Sequence, residues 1–203
     1  MTRVHPIEAE SYRRLADRVD LSAWPPGPLA IVARVIHASA DLEFATTMVV
    51  DEAAIDAGVE ALRAGSPVIA DVEMVRAGMP SLGACCHLSD VTGGGELTRS
   101  AAGMRLAAGH HPAGAVVVVG CAPTALVEAV RLIESGLFSP ALLVGLPVGF
   151  VGAAESKELA RACAIPSITN VGDKGGSAVA AAAVNALARL AATSPAAPPA
   201  GRR

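Results

Sequence analysis

Aromatic side chains are nearly absent from this chain, with three Phe, one Tyr and one Trp in 203 residues. A protein that binds nucleic acid usually carries a basic surplus and rings on which bases stack. Here the formal net charge is -3 and only 17% of residues are charged, so no nucleic-acid partner is expected. Long apolar runs are lacking as well. The longest, "AGAVVVVG" and "PALLVGLPVGFVGAA", are broken by Gly and Pro and stop short of the roughly 20 residues a membrane-spanning helix needs. The opening "MTRVHPIEAESYRRLADRVD" holds acidic residues and no apolar h-region, so neither a secretory leader nor membrane attachment is expected. Cys85, Cys86, Cys121 and Cys163 form no CxxC pair, and adjacent cysteines are poor spacing for structural zinc. Free thiols in a reducing cytoplasm, and no bound metal, are the expectation.

What is present is a 20-glycine chain that is 52% hydrophobic, long enough for one domain with a substantial core. The first sixty residues read as helices. One starts after Pro6, one covers 28–38 with Pro28 in its first turn, and "DEAAIDAGVEALRAG" ends at Gly65. The period then changes. "PVIADVE" (67–73), "AVVVVG" (115–120), "ALLVGLP" (141–147) and "PSITNVG" (166–172) read as strands, with a weaker one at 82–88. Helical stretches at 98–108, 123–135, 154–163 and 176–191 lie between and after them. Near-continuous apolar strands alternating with helices predict an α/β fold: one three-layer domain, its mainly parallel sheet covered by helices on both faces. Residues 1–190 form that domain, and the Pro/Ala tail 191–203 reads as disordered.

Ligands of such sheets bind beyond the carboxyl ends of the strands, where loops enter helices. Three junctions qualify: "VVVVGCAPTAL", "LLVGLPVGFVGAAESKE" and "SITNVGDKGGSAVAAAAVNAL". In the third, Gly172, Gly175 and Gly176 allow close backbone approach, helix-start N–H groups can receive an anion, and Lys174 adds charge. An ordinary strand-to-helix turn explains the same glycines. Neither GxGxxG nor GxxxxGK[ST] occurs in proper context, so the nucleotide-binding fingerprints are missing. Among the histidines, His5, His110 and His111 read as structural or solvated, and His87 does too, with metal ligation as the lesser alternative. His37 differs in its company. On a helix over 28–38 it shares a face with Arg34, three residues earlier, placing an imidazole that can exchange protons near neutral pH beside a fixed guanidinium. A histidine at the edge of the core is the competing reading. Arg13, Arg14, Arg76 and Arg99 are further candidates for an anion-binding wall.

Seven segments, "PIEAES", "RVIHASADLEF", "PVIADVEMVRAG", "TRSAAGMR", "APTALVEAVRLIESG", "PALLVGLPVGFVGAAESKE" and "GGSAVAAAAVNAL", span about residues 6–190. In them the chain resembles the precorrin-8X methylmutases, also found as cobalt-precorrin-8 methylmutases, of cobalamin biosynthesis. The resemblance implies a homodimeric α/β isomerase that converts precorrin-8X to hydrogenobyrinic acid by moving a methyl group from C11 to C12. It places the catalytic histidine on His37 and a substrate-contacting serine on Ser11, and puts Arg34 and Arg99 beside the ligand; Lys174 remains the candidate read from the glycine-rich junction. It implies a rearrangement without a redox agent, bound metal or nucleotide cofactor. His37 would protonate the conjugated system and a proton would be lost afterwards, while Arg34 tunes the histidine or holds a carboxylate. The sequence departs from the family's habit at Cys121, where Asn is more usual, and at Asp173, where a basic residue is common; the second weighs against Lys174 as a substrate ligand. The stretch 79–97 also diverges, is expected to be mobile, and promises nothing catalytic from its cysteines. Two rivals remain at this point. An α/β-hydrolase-like or nucleotide-dependent enzyme would need a nucleophile elbow or a P-loop, which the sequence lacks. A non-catalytic corrinoid carrier would keep the anion-binding junctions without needing an imidazole at position 37. Cobalt-free and cobalt-containing substrates are not distinguished by any motif.

Overall fold

Alternating side-chain direction along four short strands organises the molecule. The computed structural model describes residues 5–92 and 95–193. Strands β2 (Val68–Ala70), β3 (Val116–Val119), β4 (Leu142–Gly145) and β5 (Ser167–Asn170) are parallel neighbours, and a two-residue β1 (Met48–Val49) closes the edge antiparallel to β5. The sheet order is β1-β5-β4-β3-β2. Because successive residues point to opposite faces, Val68, Ala70, Val116, Val118, Leu142 and Val144 enter one core while Ile69, Val117, Val119 and Leu143 enter a second.

Helices cover both faces, as the strand pattern predicts. The connections α6 (Arg99–His110), α7 (Pro123–Glu134) and α8 (Ala153–Ala162) pack on one side. On the other lie α2 (Pro26–Ser39), α4 (Glu52–Arg63), the short α5 (Glu73–Ala77) and α9 (Ser177–Thr193). Helix α1 (Pro6–Ala16) rests on α2, and the single turn α3 (Phe44–Thr47) leads into β1. Every residue of β2, β3 and β4 is buried, which is why these strands read as unbroken apolar runs. Among the described residues no helix is long and apolar enough to cross a membrane, and all four cysteines are free thiols.

The differences from the sequence reading are local. The run 67–73 gives a strand of only three residues, because from Glu73 the chain already winds into α5. The weaker strand at 82–88 is reduced to one parallel bridge between Cys85 and Ile69. Helix α9 continues through Thr193, three residues into the stretch read as tail; the rest of that tail lies outside the described residues.

Buried polar side chains shape two carboxyl-end loops. Asp71, just past β2, accepts from the N–H groups of Gly120 (3.1 Å), Cys121 (2.9 Å) and Ala122 (2.8 Å). The N–H groups of the first junction therefore already hold an anion, one belonging to the protein. Burial pushes this carboxyl up, against the lowering effect of the three N–H bonds. On the far side, Lys157 of α8 has no solvent contact. Its Nζ donates to Asn170 Oδ1 (3.0 Å) and to the carbonyls of Gly172 and Lys174 (both 2.6 Å). Desolvation lowers its pKa to about 8. The loop is pressed so closely onto the β4 loop that a Cβ at Gly175 would sit 2.3 Å from the Leu146 carbonyl oxygen; only glycine fits there.

Lys157→Met is expected to cost about 3 kcal/mol of unfolding free energy, because three buried acceptors lose their donor. Urea denaturation monitored by circular dichroism checks this; an unchanged midpoint would show that the loop holds itself.

Candidate active site

Helix α2 is amphipathic in a way that divides its labour. Ile31, Val32, Val35 and Ile36 are at most 2% exposed and bind the helix into the core, each contributing about 1.5–3 kcal/mol of apolar burial. Arg34 and His37, three apart, point instead at α1, where Glu8 and Ser11 are also three apart. The two pitches match, so the helices join by two polar contacts. Arg34 donates to Glu8 Oε1 at 2.9 Å, and His37 Nδ1 lies 2.7 Å from Ser11 Oγ. Tyr12 stacks on the His37 ring with centroids 5.0 Å apart and planes 16° from parallel.

The ring is thus held by one nitrogen and one face. Among the described residues the ring's hydrogen bond is the one at Nδ1, and His37 lines a cleft of about 620 Å³ between α1 and the end of α2. Ser11, His37, Glu10, Arg14 and Arg18 give that cleft its polar groups, while Ile7, Leu15, Ile36 and Leu42 give it apolar walls. A hydroxyl at Nδ1 both donates and accepts, so it serves the ring in either protonation state. With Nδ1 engaged, Nε2 is the ring nitrogen left without a hydrogen-bond partner among the described residues.

Helix α2 ends at Ala40, whose left-handed φ of 54° turns the chain sharply. Asp41 and Glu43 follow, and both pair with Lys174, at 2.7 and 2.8 Å. The loop after β5 is thereby tied to the residues just beyond His37. The salt bridges raise the Lys174 pKa and lower that of Asp41, in each case chiefly through their shared hydrogen bond.

Of the residues singled out in the sequence, Ser11 and His37 meet directly, and Arg34 stands one turn away. Lys174 borders the same end of α2, but its charge is engaged by two carboxylates. Arg99 does not join them: it begins α6 on the opposite face of the sheet, where Nη2 makes one long bond of 3.4 Å to the Leu88 carbonyl. Arg14 lines the cleft while bonded to Glu10 at 2.8 Å; Arg13 is occupied by Glu10 and Asp17, and Arg76 by Glu73.

Four contributors were missed. Tyr12 braces the imidazole, and Arg18 puts a guanidinium without a protein partner among the described residues on the cleft wall. Glu8 takes Arg34 from one side and Arg189 of α9 from the other, at 2.9 and 2.8 Å. Its spacing from Ser11, equal to that of Arg34 from His37, was a usable signal for the pair. Arg189 offered none, being 181 residues away. The hydrogen bond from Arg189 is the main cause that holds the Glu8 carboxyl below its ordinary 4.5.

The Glu8 clasp stabilises the fold only while ionised. Its folded pKa is depressed, so the contribution is present above the unfolded value of about 4.5 and is lost as pH falls through the lower, folded value. Glu8→Gln is expected to lose about 2 kcal/mol at pH 7, between exposed and fully buried ion pairs in size. Denaturation curves of variant and parent should converge below pH 4.5; a gap independent of pH would mean that the clasp acts by packing alone.

Comparison with known proteins agrees with this geometry. The precorrin-8X methylmutase family model matches residues 6–190. A cobalt-precorrin-8 methylmutase of Priestia megaterium is 39% identical, the match covering 91% of this chain and 87% of that one. One of Methanothermobacter thermautotrophicus is 40% identical over 84% of each chain. A precorrin-8X methylmutase of Pseudomonas aeruginosa is 37% identical, covering 90% of this chain and 93% of its own. The crystal structure of a precorrin-8X methylmutase from Thermus thermophilus superposes with a TM-score of 0.80 at 33% identity, over 92% of this chain and 95% of that one. With an imidazole held by Ser11 above an open cleft, and a match that runs the length of the fold, the chain belongs to the precorrin-8X methylmutase family of isomerases.

Proposed function

We propose that the chain isomerises precorrin-8X to hydrogenobyrinic acid by C11-to-C12 methyl migration, with His37 as the acid that starts the shift. The observation carrying this is the Ser11–His37 pair, which engages Nδ1, leaves Nε2 without a partner among the described residues, and sits on the wall of the cleft. The migration conserves atoms. A proton given from Nε2 to the conjugated macrocycle makes the carbon beside the migrating methyl electron-poor, the methyl moves with its bonding pair, and a proton returns to Nε2. Nδ1–H donates to Ser11 Oγ throughout, which keeps Nε2 as the exchanging atom.

Ser11 borders the substrate in this reading. Arg34 and Lys174 act by position, since Glu8 holds the first and Asp41 with Glu43 the second. Carboxylates of the macrocycle meet Arg18, and those reaching the far face of the carboxyl edge meet Arg99. The second reading, cobalt-precorrin-8 as substrate, is favoured by the names of the relatives at 39–40% identity. In it the cobalt travels within the substrate. A homodimer in the cytoplasm completes the proposal. Phe150 and Val151, 96% and 88% exposed in the loop after β4, offer the apolar surface for a second copy.

Anaerobic incubation with precorrin-8X, and separately with its cobalt form, followed by visible absorption, tests the activity. Parent protein should convert one of them; His37→Ala should fall by about 10²- to 10⁴-fold while still binding product, and Ser11→Ala by about tenfold, one hydrogen bond's worth. Binding without conversion of either substrate by the parent would leave the carrier reading. Phe150→Glu should shift the parent's dimer to monomer in sedimentation velocity, and a parent that is monomeric would end the dimer proposal.

A further inference from the structure

Three metal-ligating side chains converge away from the His37 cleft, at the β2 edge of the sheet. One ligand atom from each of Cys85, His87 and His111 lies within 4.8 Å of the other two. Each is positioned by backbone. Cys85 runs beside β2, its N–H donating to the Val68 carbonyl (2.9 Å) and its carbonyl accepting from the Ala70 N–H (2.8 Å). That extended pairing turns Cys85 toward the face covered by α6 and sends Cys86 to the opposite core. Adjacent cysteines are thus separated by the sheet, and only one reaches the cluster. His111 caps the end of α6, its N–H bonded to the Ala107 carbonyl at 2.9 Å. Gly103 of α6 lets the His87 backbone lie against the helix, with a built Cβ already 3.3 Å from the His87 carbonyl oxygen.

His87 supplies the independent sign of a ligand. Its Nδ1 pairs with Asp90 Oδ2 at 2.8 Å, while its Nε2 is buried without a hydrogen-bond partner among the described residues. Donation from Nδ1–H to the carboxylate fixes the tautomer in which Nε2 carries a free lone pair. Metal-binding histidines are oriented by carboxylates in this way. His110 stacks on the same ring at 4.9 Å, 12° from parallel, and fixes its plane. An orphaned buried lone pair beside a thiol and a second imidazole is what a cation would satisfy.

We propose that Cys85, His87 and His111 form a site for a thiophilic divalent transition-metal ion of the zinc class. One sulfur and two imidazole nitrogens suit such an ion and not magnesium or calcium. Cys85 loses its proton on binding, and the thiolate, His87 Nε2 and one His111 ring nitrogen become the protein ligands, leaving the fourth position to water. The ion fastens the segment after α5 to the end of α6. It lies across the sheet from His37 and takes no part in methyl transfer.

The test uses the full chain, stripped with chelator and titrated with Co²⁺ as a coloured probe and then with Zn²⁺. One Co²⁺ per chain, a near-ultraviolet thiolate-to-cobalt band and displacement by Zn²⁺ are expected. Cys85→Ser should abolish the band, His111→Ala should weaken binding at least tenfold, and Asp90→Asn should weaken it about tenfold. Cys86→Ser should change nothing. Circular dichroism confirms that each variant is folded, and His111, partly exposed at a helix end, tests the site even if Cys85→Ser fails to fold. Absence of the band in the parent, or Co²⁺ binding that survives His111→Ala undiminished, overturns the proposal.

Discussion

The ammonium of Lys157, shut away from solvent, is the constraint on which the loop beside the end of α2 depends. A buried charge is tolerated only where oxygen acceptors surround it, and here two of the three are backbone carbonyls of the loop after β5. Fixing those carbonyls fixes where the chain passes between α8 and α2. Lys174 then projects to Asp41 and Glu43, immediately beyond the left-handed end of α2. A charge buried under the sheet's edge is thereby connected, through Lys174 and Asp41, to the position of an imidazole in the outer layer. The glycine at 175 belongs to the same device, since any side chain there would push the loop off its support.

The position of His37 gains precision from helix geometry rather than from a loop. Residues three apart on a helix lie on one face, so a pair on α1 can meet a pair on α2 only at one register and rotation. Glu8–Arg34 and Ser11–His37 specify both at once. The first contact is also an ion pair. The guanidinium of Arg34, one turn from His37, meets the Glu8 carboxylate, which Arg189 of α9 shares. Arg34 is thereby a fastener of α1, and the cleft-lining guanidinium without a partner among the described residues is that of Arg18.

How much of this was legible follows from the range of each interaction. Strands β3 and β4 declare themselves as apolar runs because both faces are covered, and helices announce their ends through Pro28 and Gly65. The short α5 was hidden because Val72 and Val75 look like strand continuation, whereas the helix is decided by burial of Val75 against the core. His37 could be singled out from its spacing to Arg34, yet spacing alone left it balanced between core edge and active site; the family resemblance tipped it. Lys157 stood inside a quoted motif with no role, since nothing local distinguishes a buried lysine from an exposed one. Asp71 and Arg189 act on groups 49 to 51 and 181 residues away, distances over which pattern gives no pairing.

The two vicinal cysteines show how tertiary context can reverse a sound local argument. Adjacent ligands rarely serve one structural metal ion, and on that ground the sequence offers metal ligation only as the lesser reading of His87. The strand-like bridge to Ile69 separates the two thiols to opposite faces, after which the relevant spacing is Cys85-x-His87, with His111 supplied by the end of a helix. Cys86 packs against the opposite core, across the sheet from Cys85, and so takes no part in ligation. Polar chemistry is accordingly divided between the two edges of the sheet. At the β5 edge, Glu8, Asp41 and Glu43 pair with cations around His37, whose ring is bonded through Nδ1 to Ser11. At the β2 edge, an imidazole nitrogen is enclosed without a partner among the described residues, and an enclosed lone pair can be satisfied only by something that enters and stays.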